Sequence, residues 1–580
     1  MSRSGIWCCF VLTLTQLFSC KNDTNYNTVI ATDALTITQG KALYSQYCGS
    51  CHNFNFDGIG PRLGGITDSV SLDWLRDFIS NPIKMIEGGD VRSNQLYPKF
   101  KVLMPAFAGL GDTAINTIIS YIHSRKPAIL STKYADRMEV KNAILDTIPE
   151  TEYVLKLKLI KEFPVTNPQK TAPLARIQKL DFEQNSGQSF VLDMNSTLYR
   201  LTGDYISVYL DMSKHIGNFI NQPGLSSGFA SFAFHPEFYK NGLIYTAHTE
   251  PASSQSADFT FEDSLESALQ FVILEWEASD PNALVYTGSK RELLRMNMVS
   301  KAHGIQEIAF NPTAKKGSHD YGILYIAIGD AGAGENRYPY LLHSKKRAWG
   351  TIFRIDPLYD KSKSLPCKNG KYGIPKSNPF SADTAALGEI YAFGFRNPHR
   401  MTWTTKGQFL VSNIGHADVE TLNLVEAGED YGWPYIEGRY IIDPMGDLAK
   451  IYEPIDSDSI ISKVSSPIAQ FDRDDAKAIA GGYEYTGSIP LLKGKFIFGD
   501  IPSGKIYFIY TDQIQKGKNA SIFEMLVSLE GKIMNLKDLN KNTRIELHFG
   551  KDAKGEIYLM TKADGKLFKV MDCYRKDNTY

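Results

Sequence analysis

The chain has 580 residues, 43% of them apolar and 12% aromatic, and its 63 Lys and Arg against 64 Asp and Glu leave a formal charge of -1. At roughly 150 residues per domain this is a multidomain globular chain rather than a disordered one. A balance so close to neutral gives no overall field to draw nucleic acid or acidic lipid, so nucleic-acid binding is excluded as a main role.

The first residues, "MSRSGIWCCFVLTLTQLFSCKND", set Arg3 before an apolar run from Ile6 to Phe18 that is too short to span a bilayer, then small Ser19 before Cys20. The pattern predicts an export signal over 1–19. Its "LFSC" ending resembles the lipobox of bacterial lipoproteins, in which the Cys becomes the lipidated first residue, although Phe18 is bulkier than usual there. A plain cleaved signal with a chance Cys is the alternative. No later stretch is long and apolar enough to cross a membrane, so attachment would rest on Cys20, followed by a tether over 20–34. The expected location is outside the cytoplasm, as a periplasmic or cell-surface lipoprotein on a bacterial membrane. Of the seven Cys, Cys8 and Cys9 leave with the signal, and Cys367 and Cys573 are either one disulfide or two separate buried thiols.

Residues 35–126 predict a small helical domain. "GKALYSQYC" spaces Leu43, Tyr44 and Tyr47 as on a helix, and "YCGSCHN" then carries the Cys-x-x-Cys-His pattern of covalent haem attachment. Cys48 and Cys51 would form thioethers to the porphyrin and His52 would bind the iron. Structural zinc would need a second Cys pair, which the chain lacks. In "KVLMPAFAGL" Met104 offers a soft sixth ligand, with His123 as its rival. "GDTAINTIISYIHSRKP" predicts a closing helix capped by Asp112 or Thr113, with Ile115, Ile118, Ile119 and Ile122 on one face. The whole stretch resembles class I cytochromes c, and the resemblance implies that the carbonyl of Pro61 orients His52 and that the domain carries one electron at a time.

Beyond Pro127 the texture changes. Residues 127–170 are charged and read as a linker. Six passages then repeat a pattern of apolar strand, turn, Gly and aromatic strand: "SFVLDMNSTLYRL", "FAFHPEFYKNGLIYTAH", "IAFNPTAKKGSHDYGILYIAIGD", "MTWTTKGQFLVSNIG", "GKFIFGDIPSGKIYFIY" and "HFGKDAKGEIYLMTKADGKLFKV". Six such units over 171–572 predict an all-β six-bladed propeller rather than a two-sheet sandwich, with a short tail at 573–580.

Polar residues that interrupt this pattern are where chemistry could sit. His303 precedes a strand and could take a proton, and Asp330 in the paired strand could fix its tautomer. Arg396 and Asn397 in "FGFRNPHR", Lys477 before a Gly turn and Arg544 in "NTRIELHFG" are four donors from separate blades, suited to a polyanionic ligand. In "NIGHADVETLNLVEAGEDYGWP", the Gly415 carbonyl, Glu420 and Tyr431 are the ligand types that Ca²⁺ takes.

"HGIQEIAFNP", "GILYIAIGD", "WGTIFRIDP", "EIYAFGFRNPHRMTW", "LNLVEAGEDYGWPYIEG", "AIAGGYEYTGSIPLLKGKFIFGD" and "RIELHFGKDAKGEIYL", in that order, resemble the glucose/sorbosone dehydrogenase family. That resemblance implies oxidation of an aldose C1 hydroxyl, or a related alcohol, by pyrroloquinoline quinone (PQQ) with Ca²⁺. His303 would be the base, oriented by Asp330. Arg396, Asn397, Lys477 and Arg544 would hold the quinone, with Arg396 also stabilising charge on its reduced ring. Carbonyls of Gly415, His416 and Tyr431 with the Glu420 carboxylate would surround Ca²⁺. The chain departs from the family at Ile305, Gln306, Ile414 and His416, and in having Glu420 for Asp. Electrons would pass singly to the chain's own haem and on to a cytochrome or respiratory-chain acceptor. The rival reading is a surface propeller that binds a glycan or protein, with a separate electron-transfer haem.

Overall fold

The computed structural model describes residues 29–576 except 50, 101–102, 128–132, 168–171, 223–225, 263, 417 and 540–543; Cys20 and the expected export signal lie outside the described residues. Five α-helices build the N-terminal domain: α1 (Ala34–Tyr47), α2 (Leu72–Ser80), α3 (Pro82–Glu87), α4 (Val91–Phe100) and α5 (Gly111–His123). Asp33 caps α1 by accepting the Thr36 N–H at 2.9 Å. α1 and α5 cross at Gly40, where a Cβ would stand 2.2 Å from the Thr117 carbonyl oxygen. α5 buries Ile115, Ile118, Ile119 and Ile122 as their spacing requires. It starts two residues earlier than a cap at Asp112 would allow, so Asp112 and Thr113 lie inside its first turn and Leu110 holds the cap position without a side-chain bond.

The rest is a six-bladed β-propeller of four-stranded antiparallel sheets. Blade I is Ile177–Phe182, Ser189–Asp193, Thr197–Thr202 and Tyr205–Asp211, and blade II is Phe229–Phe234, Leu243–Pro251, Leu269–Ala278 and Gly288–Met298. Blade III is Ile305–Phe310, Leu324–Ile328, Thr351–Ile355 and Ile390–Phe393; blade IV is Pro398–Trp403, Phe409–Asn413, Val419–Leu424 and Ala469–Asp472. Blade V is Ile479–Glu484, Lys495–Asp500, Ile506–Tyr510 and Phe523–Leu529. Blade VI is Leu547–Lys551, Ile557–Thr561, Lys566–Arg575 and, from the other end of the chain, Glu150–Glu162. Each of the six repeated passages falls in its own blade.

That last strand corrects the sequence reading. Residues 127–170 hold more than a linker, because Glu150–Glu162 runs antiparallel to Lys566–Arg575, with Leu157 opposite Val570, and parallel to the outer strand of blade V, with Leu155 opposite Val527. In "TEYVLKLKLIKE" the buried Leu155 and Leu157 alternate with exposed Lys156 and Lys158, the period of a half-buried strand. Pairing it there covers a sheet edge that would otherwise be open. The expected tail at 573–580 likewise begins inside the strand that ends at Arg575. Cys573 lies in that strand and Cys367 in the blade III insertion, where its thiol donates to Asn369 Oδ1 at 3.0 Å; neither is in a disulfide, so they are separate buried thiols.

The innermost strands of successive blades are neighbours around a ring that closes where Gly550 of blade VI pairs with Leu180 of blade I in parallel. Running in one direction, these strands bring the residues just before them to a single mouth. Those residues include His303, Arg396, Asn397, Lys477 and Arg544.

Candidate active site

At the mouth His303 stands in a left-handed backbone conformation, φ +51°, and its Nδ1 lies 2.8 Å from Asp330 Oδ1. Asp330 is fully buried. Its Oδ1 also accepts the Gly332 N–H at 2.8 Å and its Oδ2 accepts Trp433 Nε1–H at 2.9 Å. With three N–H groups aimed at it, the carboxylate holds the proton of His303 on Nδ1 and leaves Nε2 as the basic nitrogen. The predicted dyad is formed, and Trp433 is a member that sequence reasoning did not single out.

Arg396 is buried beside the dyad, and its carbonyl accepts the Asp330 N–H at 2.7 Å. Its guanidinium donates to the Gly415 carbonyl at 2.6 Å and pairs with Glu335. Burial works against this guanidinium's charge, but Glu335, Asp330 and Glu437 outweigh it and raise its pKa. Conversely Arg396 and His416 hold Glu335, despite its burial, well below the usual carboxylate range. Glu335 carries no local signal in sequence; it lies in the turn after Asp330. Asn397 is fixed through its N–H to Asn413 Oδ1 at 3.0 Å. Lys477 donates its backbone N–H to Asp500 Oδ1 at 2.7 Å and turns its ammonium to the Arg473 carbonyl. Arg544 pairs with Glu546 at 2.6 Å; burial lowers its pKa, and Glu546 more than restores it.

One atom speaks for a bound polyanion. Among the described residues Arg396 Nε–H, a donor, is buried without a hydrogen-bond partner, and a carboxylate of a quinone would accept from it. With Lys477 and Arg544 on the same rim, the residues fit PQQ. Just inside the channel Lys562, which sequence reasoning missed, is buried, and desolvation together with Arg176 lowers its pKa to about 7.

The donors expected for calcium do not fit it. The Gly415 carbonyl is taken by Arg396, and the His416 carbonyl accepts Arg473 Nη2–H at 2.5 Å. Glu420 spends one oxygen on the Gly415 N–H at 3.3 Å and the other on the Ile479 N–H at 2.9 Å. Tyr431, expected through its carbonyl, has its side chain in the core beneath, stacked on Phe395. Among the described residues no three His, Cys, Asp or Glu side chains cluster as a metal site. Spacing in sequence could not reveal that two arginines occupy these carbonyls.

In the helical domain Cys48 and Cys51 are not in a disulfide, and His52 Nδ1–H donates to the Pro61 carbonyl at 2.8 Å, as expected. This leaves Nε2 for iron, so the residues fit haem c. Gly60 lies so close that a Cβ there would meet the His52 ring at 2.5 Å. Met104 packs against the cluster of Leu75, Ile79, Ile115 and Ile119, and the rival His123 is engaged with Thr67 at 2.9 Å. The haem loop does not stand apart from the propeller. Asn53 Nδ2–H donates to the Glu335 carbonyl at 3.2 Å. Phe56, 1% exposed, meets His416 edge-on at 5.6 Å under the Arg337 guanidinium.

Fold and site together define a β-propeller with a histidine–carboxylate dyad and a cationic rim at its mouth, joined to a c-type cytochrome docked on that rim. The chain belongs to the glucose/sorbosone dehydrogenase family, whose model matches residues 221–569, and a cytochrome c model matches residues 37–126. It is 26% identical over 368 residues to the HIPL1 protein of Arabidopsis thaliana, covering 58% of this chain and 52% of that protein. To quinoprotein glucose dehydrogenase B of Acinetobacter calcoaceticus it is 26% identical over 236 residues, 38% of this chain and 42% of that one. To the human hedgehog-interacting protein it is 22% identical over 398 residues, 67% of this chain and 49% of that one. The chain thus spans about half, or less, of the length of the curated relatives it matches. Among solved structures, the PQQ-bound aldose sugar dehydrogenase of Streptomyces coelicolor aligns at 17% identity and a TM-score of 0.45, over 73% of this chain and 98% of that one.

Proposed function

We propose that this protein is a quinoprotein dehydrogenase that oxidises the C1 hydroxyl of an aldose, or a related alcohol, with PQQ, and delivers the electrons singly to its own haem. The observation that carries the proposal is the seating of the haem loop on the residues that would hold the quinone: Asn53 on Glu335, and Glu335 on Arg396. When bound, PQQ supplies a two-electron acceptor for hydride and haem c a one-electron outlet.

The chain's own groups do the rest. His303 Nε2 takes the hydroxyl proton while Asp330 holds the other ring proton and balances the charge that the imidazole gains. Arg396, Asn397, Lys477 and Arg544 bind carboxylates and carbonyls of the quinone, and Arg396, being buried and permanently charged, favours negative charge developing beside it. Phe56 and Asn53 hold the cytochrome against the mouth, so the acceptor is present at high effective concentration. Export and anchoring through Cys20, and transfer onward to a respiratory acceptor, belong to the same proposal; the mass of a lipidated peptide beginning at Cys20 checks the anchor.

The test is to add PQQ to purified protein and offer a panel of aldoses and alcohols. Reduction of the haem band by substrate is expected, and quinone binding with no reduction by any member refutes the proposal. The similarity to the hedgehog-interacting protein, which covers more of this chain than that to the glucose dehydrogenase, favours a second reading as a binding propeller. Failure to bind PQQ at all would select it.

A further inference from the structure

The calcium mismatch is specific. The carbonyl of His416 is met by Arg473, the residue that directly follows the last strand of blade IV. Arg473 Nη2–H donates to that carbonyl at 2.5 Å. Its own backbone carbonyl accepts the Lys477 ammonium, one of the three cations of the rim. The neighbouring carbonyl, Gly415, is met by Arg396. Glu437 supports the turn from behind, its Oε1 accepting N–H groups of His416 at 3.0 Å, Asp418 at 3.0 Å and Val419 at 2.9 Å. A cation that binds main-chain oxygen and fixes the rim is what a hard metal ion supplies in such a turn. Here a fixed guanidinium makes each of those contacts.

We infer that Arg473 stands in for calcium, so that this protein binds PQQ without a metal ion. Arg473 is a positioning residue: it orders the turn and, through its carbonyl, aims Lys477 at the quinone. The inference rests on the proposed quinone site, but part of its test does not.

That part uses the protein without quinone. Thermal unfolding of the wild type is unchanged between excess EDTA and millimolar Ca²⁺, whereas Arg473→Met melts lower in EDTA and recovers with Ca²⁺, which enters the turn once the guanidinium is gone. Arg473→Lys keeps a charge but not the fork, and melts between the two. Quinone binding, read by quenching of tryptophan fluorescence, is equally tight for the wild type in EDTA and in Ca²⁺, and at least tenfold weaker for Arg473→Met in EDTA. A wild type stabilised by Ca²⁺, or one whose quinone affinity falls tenfold in EDTA, overturns the inference even if Arg473→Met fails to fold. Absence of quinone binding in both EDTA and Ca²⁺ overturns the proposed function instead, and the melting experiment then still decides the role of Arg473.

Discussion

Replacing Asp330 by Asn tests the dyad where its geometry is most constrained. Oδ1 accepts two N–H groups, from His303 and Gly332, while Oδ2 accepts one, from Trp433. The amide of Asn offers only one acceptor oxygen, so it will keep that oxygen toward the pair and set its NH₂ against the Trp433 N–H. Two buried donors then face each other, at a cost of about 1–3 kcal/mol in stability. His303 keeps its tautomer but loses a charged partner when it gains a proton; a hydrogen bond to a charged group is worth about 1.5–3 kcal/mol, so turnover falls by roughly 10- to 100-fold. The assay is substrate-driven haem reduction by stopped flow, paired with denaturant unfolding. Adding Trp433→Phe removes the opposed donor, so the double variant regains stability without regaining rate. Wild-type turnover in Asp330→Asn would refute the role given to the carboxylate, and a double variant no more stable than the single one would refute the donor clash.

The remaining expectations concern other joints of the molecule. Gly40→Leu drives a side chain into the Thr117 carbonyl where α1 crosses α5, and unfolding should show a loss of about 1–3 kcal/mol confined to the cytochrome. Phe56→Ala empties a fully enclosed site beneath Arg337 and beside His416; hydrogen exchange in residues 51–57 should rise and the haem should accept electrons from the quinone more slowly, with quinone affinity kept. Lys562, with a pKa near 7 in the fold against about 10.4 unfolded, binds its proton more readily in the unfolded chain. Stability of the quinone-free protein should therefore rise as pH climbs from about 7 toward 10, by about 1.4 kcal/mol per unit from this group, and Lys562→Met should remove that component of the slope.

Contiguous chemistry was legible in the sequence. Cys48, Cys51 and His52 sit in five residues, and His303, Arg396, Asn397, Lys477 and Arg544 each stand immediately before an apolar strand, so the blade pattern alone brings them to one mouth. What could not be read was contact between distant segments. Nothing near "TEYVLKLKLIKE" says that it pairs with a strand some four hundred residues on, and its lysines disguised its two-residue period. Glu335 and Trp433 act through partners on other blades, and Arg473 through His416, 57 residues earlier in its own blade. Arg473 in particular reverses the calcium expectation, because a carbonyl's availability depends on what faces it and not on spacing. Phe56 carries no signal of its own in the sequence, and only the docked domain gives it a place in the propeller core.

The central claim is that electrons leave the propeller through the cytochrome docked on it. Protein loaded with PQQ and mixed with a saturating aldose should reduce its haem at a first-order rate that does not change when the protein is diluted a hundredfold. A rate that falls in proportion to protein concentration would mean that the haem is reached only by collision between molecules, and would contradict the account.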